Sequence, residues 1–168
     1  RDFPEITAIY AHHVRHGTAI FEETPPSNTE MMARWRKVID SGQFWLVATD
    51  DTGVLGYAYT GLYHPRPAWR FTVEDSIYVD ADATGRGIGR SLLEALMTLA
   101  RDAGIHQMVA VIGDSENAGS IGVHRACGFE HTGVLKNVGY KFERWLDVVI
   151  MQCDLRADAA EASGVNGN

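Results

Sequence analysis

Apolar residues recur along the chain at changing spacings, and each change of spacing marks an element boundary. Ile6, Ile9, Tyr10 and Val14 stand at helical spacing behind Asp2-Phe3-Pro4, which reads as an Asp cap followed by a first-turn proline. Gly17 to Pro26 is a loop carrying Ile20 and Phe21. Ser27-Asn28-Thr29-Glu30 is a capping box for a second helix that runs to Gly42. Phe44–Thr49 and Leu55–Leu62 alternate as strands, joined by the hairpin signal Asp50-Asp51-Thr52-Gly53. A proline-interrupted connection, Tyr63–Trp69, precedes a strand over Phe71–Asp80. The strongest helical period follows from Arg90 to Ala103, with Leu92, Leu93, Leu96 and Leu99 inward. Met108–Ile112 is an unbroken apolar run, as in a buried strand. A short helix over Ala118–Ala126 ends at Gly128, and Phe129–Val138 and Trp145–Leu155 are two last strands. The tail from Arg156 to Asn168 has no period and reads as disordered.

The predicted order ααβββαβαββ is an α/β domain, residues 1–155, with helices flanking a mixed, strongly twisted sheet. A length of 168 residues suits one such domain, and 45% hydrophobic with 22% charged residues is ordinary for a soluble chain. The net charge of −7 argues against nucleic acid or an anionic membrane as the main partner. Cys127 and Cys153 are too few for a disulfide framework or a zinc cluster. His12, His13 and His16 have no carboxylate or cysteine at ligand spacing on their helix, so they read as a solvated or half-buried face and no metal is expected. No apolar run reaches membrane-spanning length and no signal peptide is seen, so a reducing cytoplasm is the expected compartment. The chain opens at Arg1 without an initiator methionine, which suggests that a few residues precede it.

One stretch combines these signals with chemistry. Behind the strand residues Ile77, Tyr78 and Val79, Gly85, Gly87 and Gly89 alternate ahead of the long helix. Glycines there admit backbone conformations other residues avoid. The amides of residues 85–90 would stand unpaired at the positive end of the helix dipole, where an anion such as a diphosphate binds. The plain alternative is a tight strand–helix turn. The dinucleotide fingerprint fails in both registers, with Arg90 or Leu92 at its last glycine. The P-loop fails too, because Gly89-Arg90-Ser91 lacks the lysine and Thr84 stands where its first glycine belongs.

Thr84-Gly85-Arg86-Gly87-Ile88-Gly89 instead resembles the pyrophosphate loop of the GNAT acetyltransferases, Q/R-x-x-G-x-G/A, with Thr84 departing from the usual Gln or Arg. A second segment, Asn117 to Phe129, resembles the GNAT pattern N-x-x-(S/A)-x-x-x-(Y/H)-x-x-x-G-(F/Y). Thr72–Val79, Val109–Gly113 and Gly139–Val148 resemble the phosphinothricin and methionine sulfoximine N-acetyltransferase branch, and the likeness runs from about Ile9 to Leu155. The first strand usual in that fold is absent here; residues ahead of Arg1 could supply it. The resemblance implies acetyl-CoA as cosubstrate, held by Ile77, Tyr78, Val79, the loop Thr84–Arg90, Asn117 and Ser120. It also implies a homodimer whose partner borders the pocket, so that Phe21 could act across the interface.

Moving acetyl from a thioester to an amine requires a base for the ammonium and a proton for the thiolate. Glu74 lies on the strand entering the glycine loop, where flanking apolar residues could raise its pKa, and the branch proposes the matching glutamate as base. An exposed strand carboxylate is the alternative. His124 stands where many GNAT enzymes carry a tyrosine acid; an imidazole can supply that proton, or it can simply be a helix histidine bonded to a carbonyl. Asn117 can cap its helix as well as bind the cosubstrate. Arg66 and Arg70 suit carboxylate or phosphinate oxygens, and Phe21, Trp69 and Tyr140 are candidate pocket aromatics, with ordinary surface or anchoring roles equally open. The favoured reading is an N-acetyltransferase for a small amino acid or analogue. A protein or peptide N-acetyltransferase of the same fold and a non-catalytic acyl-CoA sensor remain alternatives.

Overall fold

The structure is a computed structural model and describes residues 2–156. The reading of residues 157–168 as a disordered tail lies outside them. In chain order the elements are α1 (Phe3–His16), α2 (Asn28–Asp40), β1 (Trp45–Asp50), β2 (Gly53–Leu62), β3 (Thr72–Val79), α3 (Ile88–Asp102), β4 (Gln107–Gly113), α4 (Ala118–Ala126), β5 (Glu130–Lys141) and β6 (Arg144–Asp154). This is the order the hydrophobic pattern predicts. Single turns of 3-10 helix at Pro67–Trp69 and Ala81–Ala83 bracket β3.

The strands form one sheet in the order β1-β2-β3-β4-β6-β5. All neighbours are antiparallel except β3 and β4, which run parallel. Alternation along each strand serves a different core on each face. One core joins α3 to the sheet through Ala58, Val73, Leu93, Leu96, Met108 and Met151. The other seats α1 and α2 through Ile6, Ile9, Tyr10, Val14, Met31 and Tyr57. Ser27 Oγ accepts from the Glu30 amide, as its capping box predicts.

Several boundaries differ from the sequence reading, each for a local reason. Asp2 gives α1 no side-chain cap, because its own backbone is already helical at φ −88° and ψ −2°. Helix α3 starts at Ile88 rather than Arg90, because Gly87 turns the chain into it from the left-handed region. Its inward stripe is Leu93, Leu96, Met97 and Ala100, spaced i, i+3, i+4, i+7, which leaves Leu99 half-buried. Val111 is 40% exposed although Ala110 and Ile112 beside it are buried. Strand β5 continues to Lys141, where Phe142 and Glu143 close a two-residue hairpin with φ of 51° and 58°.

Leu96 is fully buried between α3 and the sheet. Leu96→Ala should cost about 2–5 kcal/mol. Urea unfolding should therefore show a lower midpoint at unchanged slope, and an unchanged midpoint would remove Leu96 from the core.

Candidate active site

The site begins where two strands part. β3 and β4 pair over only four rungs, Thr72–Asp75 against Gln107–Ala110. Beyond them β3 stays paired to β2, and β4 to β6. Asp80 donates its amide to Leu55 and Thr72 accepts from Tyr63, so even-numbered residues of β3 turn their backbone toward β2. Ile77 and Val79 therefore face the opening. By the same alternation, with the Asp114 amide bonded to Asp147, Val111 and Gly113 face it from β4. The Val79 carbonyl accepts a 2.8 Å bond from His13 Nε2, which gives that helix-face histidine a structural role. Tyr78 does not face the opening. Its backbone belongs to the β2 ladder and its ring lies against Tyr10 and Tyr57.

Above the opening, Gly85 and Gly87 adopt φ of 75° and 79°, and no side chain caps α3. The first helical bond shown runs from the Ser91 amide to the Gly87 carbonyl, so Ile88, Gly89 and Arg90 precede it at the positive helix end. The loop side chains are turned elsewhere. Thr84 Oγ1 donates to Ala81 at 3.1 Å, Arg86 pairs with Asp50 at 3.1 Å, and Arg90 pairs with Glu94 at 2.7 Å. What remains for an anion is backbone.

Glu74 and Asp75 project from opposite faces of β3. Glu74 shares its face with Tyr78 and stands opposite Gly61, which carries no side chain. Burial, and then the charge of Asp75, holds its carboxyl above the ordinary glutamate range. Asp75 lies on the α3 face with Val73 and accepts from, or shares a proton with, His124 Nε2 at 2.9 Å. His124 Nδ1 lies 2.7 Å from the Ser120 carbonyl. Asn117 Oδ1 accepts from the Ser120 amide at 3.1 Å and so caps α4. Burial pushes the His124 imidazole down, but the bond to Asp75, its charge and the Ser120 carbonyl outweigh that and leave it raised. The structure thus does not bring Glu74 and His124 into contact; it links them through Asp75.

These features fit the cosubstrate expected from the glycine loop: an uncapped helix end for a diphosphate, and a strand opening with free edges for an amide-bearing arm. Comparison with known proteins agrees. The family model for the acetyltransferase (GNAT) domain matches residues 1–150. The chain belongs to the GNAT acetyltransferases. A phosphinothricin N-acetyltransferase from Alcaligenes faecalis is 56% identical over 93% of this chain and 79% of its own. An L-methionine sulfoximine/L-methionine sulfone acetyltransferase from Pseudomonas paraeruginosa is 47% identical over 92% of this chain and 90% of its own. A crystal structure of a GNAT superfamily phosphinothricin acetyltransferase from Sinorhizobium meliloti, in complex with AcCoA, superposes with a TM-score of 0.87 at 45% identity. That match covers 91% of this chain and 83% of the other.

In this GNAT acetyltransferase the expected acceptor-side residues fall into two groups. Arg66, Trp69 and Arg70 sit on the turn leading into β3. Arg70 is committed to the Pro67 carbonyl at 3.2 Å and to the Phe71 ring at 4.5 Å, while Trp69 lies against Tyr63 and His64. Phe21 rests on Gly139 of β5, the residue before Tyr140, and Tyr140 lies against Trp145. A side chain at Gly139 would collide with the Phe21 ring.

Three contributors were missed in the sequence. Lys141, 2% exposed, donates to the carbonyls of Gly17 at 2.9 Å and Ile20 at 2.7 Å and ties the Phe21 loop to β5. Asp114 accepts from Thr18 at 2.5 Å and from Arg144 at 2.7 Å, pinning the same loop to the end of β4. Asp75 is the third, and it carried a signal. It alternates with Val73 and Ile77, so it points into the core, where a carboxylate needs a partner.

Replacing Lys141 by Met leaves the Gly17 and Ile20 carbonyls without their donor, at about 1–3 kcal/mol. Amide exchange should quicken across residues 17–26 while α3 keeps its protection. Unchanged exchange in that loop would show that the lysine does not hold it.

Proposed function

We propose that this GNAT acetyltransferase moves acetyl from acetyl-CoA directly to the α-amino group of a small amino acid or analogue, of the phosphinothricin or methionine sulfoximine type. The observation that carries the reading is Glu74: a half-buried carboxylate of raised pKa on the strand that borders the opening. Support for the acceptor class comes from relatives at 56% and 47% identity, named for phosphinothricin and for methionine sulfoximine.

Acetyl-CoA supplies the acetyl group as a thioester. The amides of Gly85 to Arg90 hold its diphosphate, with Asn117 and Ser120 beside the arm, and the open edge of Ile77, with the amide of Val79, pairs with the arm's amide groups. Glu74 takes a proton from the acceptor's ammonium, directly or through water, leaving a neutral amine. As the C–N bond forms the C–S bond breaks. Nitrogen gives up its second proton to water, and the thiolate receives one from the protein, so the transfer releases one proton net. His124 is the source assigned to that proton; being buried against Asp75 and Ser120, it acts as a store beside the parting strands rather than an exposed acid. Arg66 and Arg70 meet the acceptor's acidic oxygens, with Phe21, Trp69 and Tyr140 as pocket walls. The exposed aromatic hairpin, Tyr140, Phe142 and Trp145, suits a homodimer, and the reducing chemistry of two free cysteines suits a cytoplasmic setting. The reading needs no metal.

Incubation with acetyl-CoA and phosphinothricin or methionine sulfoximine should release free thiol. No release across a broad panel of amines would defeat the reading, and faster turnover of peptide N-termini would favour a peptide acetyltransferase. Because Glu74 must ionise from a raised pKa, the acid limb of kcat/KM should lie above the ordinary glutamate value of about 4.3. Glu74→Gln should lower kcat by about 10²-fold or more with little change in acetyl-CoA affinity.

A further inference from the structure

His124 is 4% exposed and Asp75 5%, two polar side chains buried beside each other. Each ring nitrogen of His124 faces an oxygen. A carbonyl can only accept, so Nδ1 carries a hydrogen toward Ser120. Nε2 then meets a carboxylate. Either neutral tautomer would set a lone pair against an acceptor, so the geometry favours keeping the proton on the pair. The other carboxylate oxygen, Asp75 Oδ1, is buried without a hydrogen-bond partner. Asp75 also occupies the last rung shared by β3 and β4, next in sequence to Glu74.

We propose that Asp75 is a positioning residue that sets the charge of both reacting groups, holding His124 as an imidazolium and opposing ionisation of Glu74. Its bond to α4 spans the point where β3 and β4 separate, so it also fixes that helix over the opening. Among the described residues Asp75 is the acidic side chain that touches His124. Glu74 precedes it on β3, and Cys127 ends α4, where the Arg90–Glu94 pair of α3 acts on it. Phe129 packs edge-on at 5.0 Å, and β4 brings no ionisable side chain. The idea rests on Glu74 and His124 serving as base and acid of the acetyl transfer.

Two measurements separate its failure from failure of that reading. Without any substrate, long-range proton–nitrogen NMR should find both His124 nitrogens still protonated at a pH above the ordinary histidine value of ~6.5. An unprotonated Nε2 there would overturn the assignment, whatever the activity. Asp75→Asn keeps the shape and can still donate to a neutral ring. In that variant Nδ1 alone should stay protonated near neutrality, and both limbs of the pH–kcat/KM profile should move toward acid by about one unit. A lower profile with unmoved limbs would reduce Asp75 to a purely structural residue. If the variant does not fold, the wild-type nitrogen titration decides alone.

Discussion

Two parallel strands that separate after four rungs govern this molecule. Backbone N–H and C=O groups on the far side of the split have lost their ladder, and buried groups of that kind need other partners. One is met within the fold, where His13 covers the Val79 carbonyl. Ile77, Val111 and Gly113 are left on an opening, which a chain-like ligand bearing its own amides can complete much as an extra strand would. The glycine turn stands at the head of this opening because β3 runs straight into it. A single strand therefore aligns the uncapped helix end, the free edge and the neighbouring carboxylates Glu74 and Asp75.

Strand alternation then separates the chemistry. Glu74 and Asp75 are sequence neighbours, yet they face different cores, so Glu74 shares a face with Tyr78 while its neighbour is locked to α4. Like charge acts between them through the strand rather than by contact. A carboxylate placed this way can raise its neighbour's pKa without occupying the space an amine must enter. Gly61 opposite Glu74 serves the same end, since any side chain there would share the face.

The order of elements was legible because each carries a strong local period, and the glycine turn because only glycine takes its two positive φ values without strain. The place of Glu74 on β3 was legible from the strand pattern. Less local features were not. The Asp75–His124 bond joins residues 49 apart, and Lys141 reaches carbonyls 121 and 124 residues away. The end of β5 was misjudged because Phe142 and Glu143 form a turn that normally announces itself with Asn-Gly. Val111 was taken for a buried residue because an apolar run cannot reveal that its neighbouring strand has departed.

What remains is how the proposed site would select its acceptor. The proposed cosubstrate side is backbone: the α3 end, the β3 edge and glycines, none of which would sense a change of acceptor. The proposed acceptor side includes a loop held by charges from the β5–β6 hairpin, Lys141 on Gly17 and Ile20 and Arg144 on Asp114. Small changes in that loop or hairpin would shift Phe21 against Gly139 and alter acceptor preference while leaving the thioester aligned. Discrimination by one methylene is worth only about 1–3 kcal/mol, so displacements of that size are enough to change which small amine is preferred. On the proposed reading, a backbone half and a side-chain half divide the labour, so acceptor preference could change without disturbing the cosubstrate half.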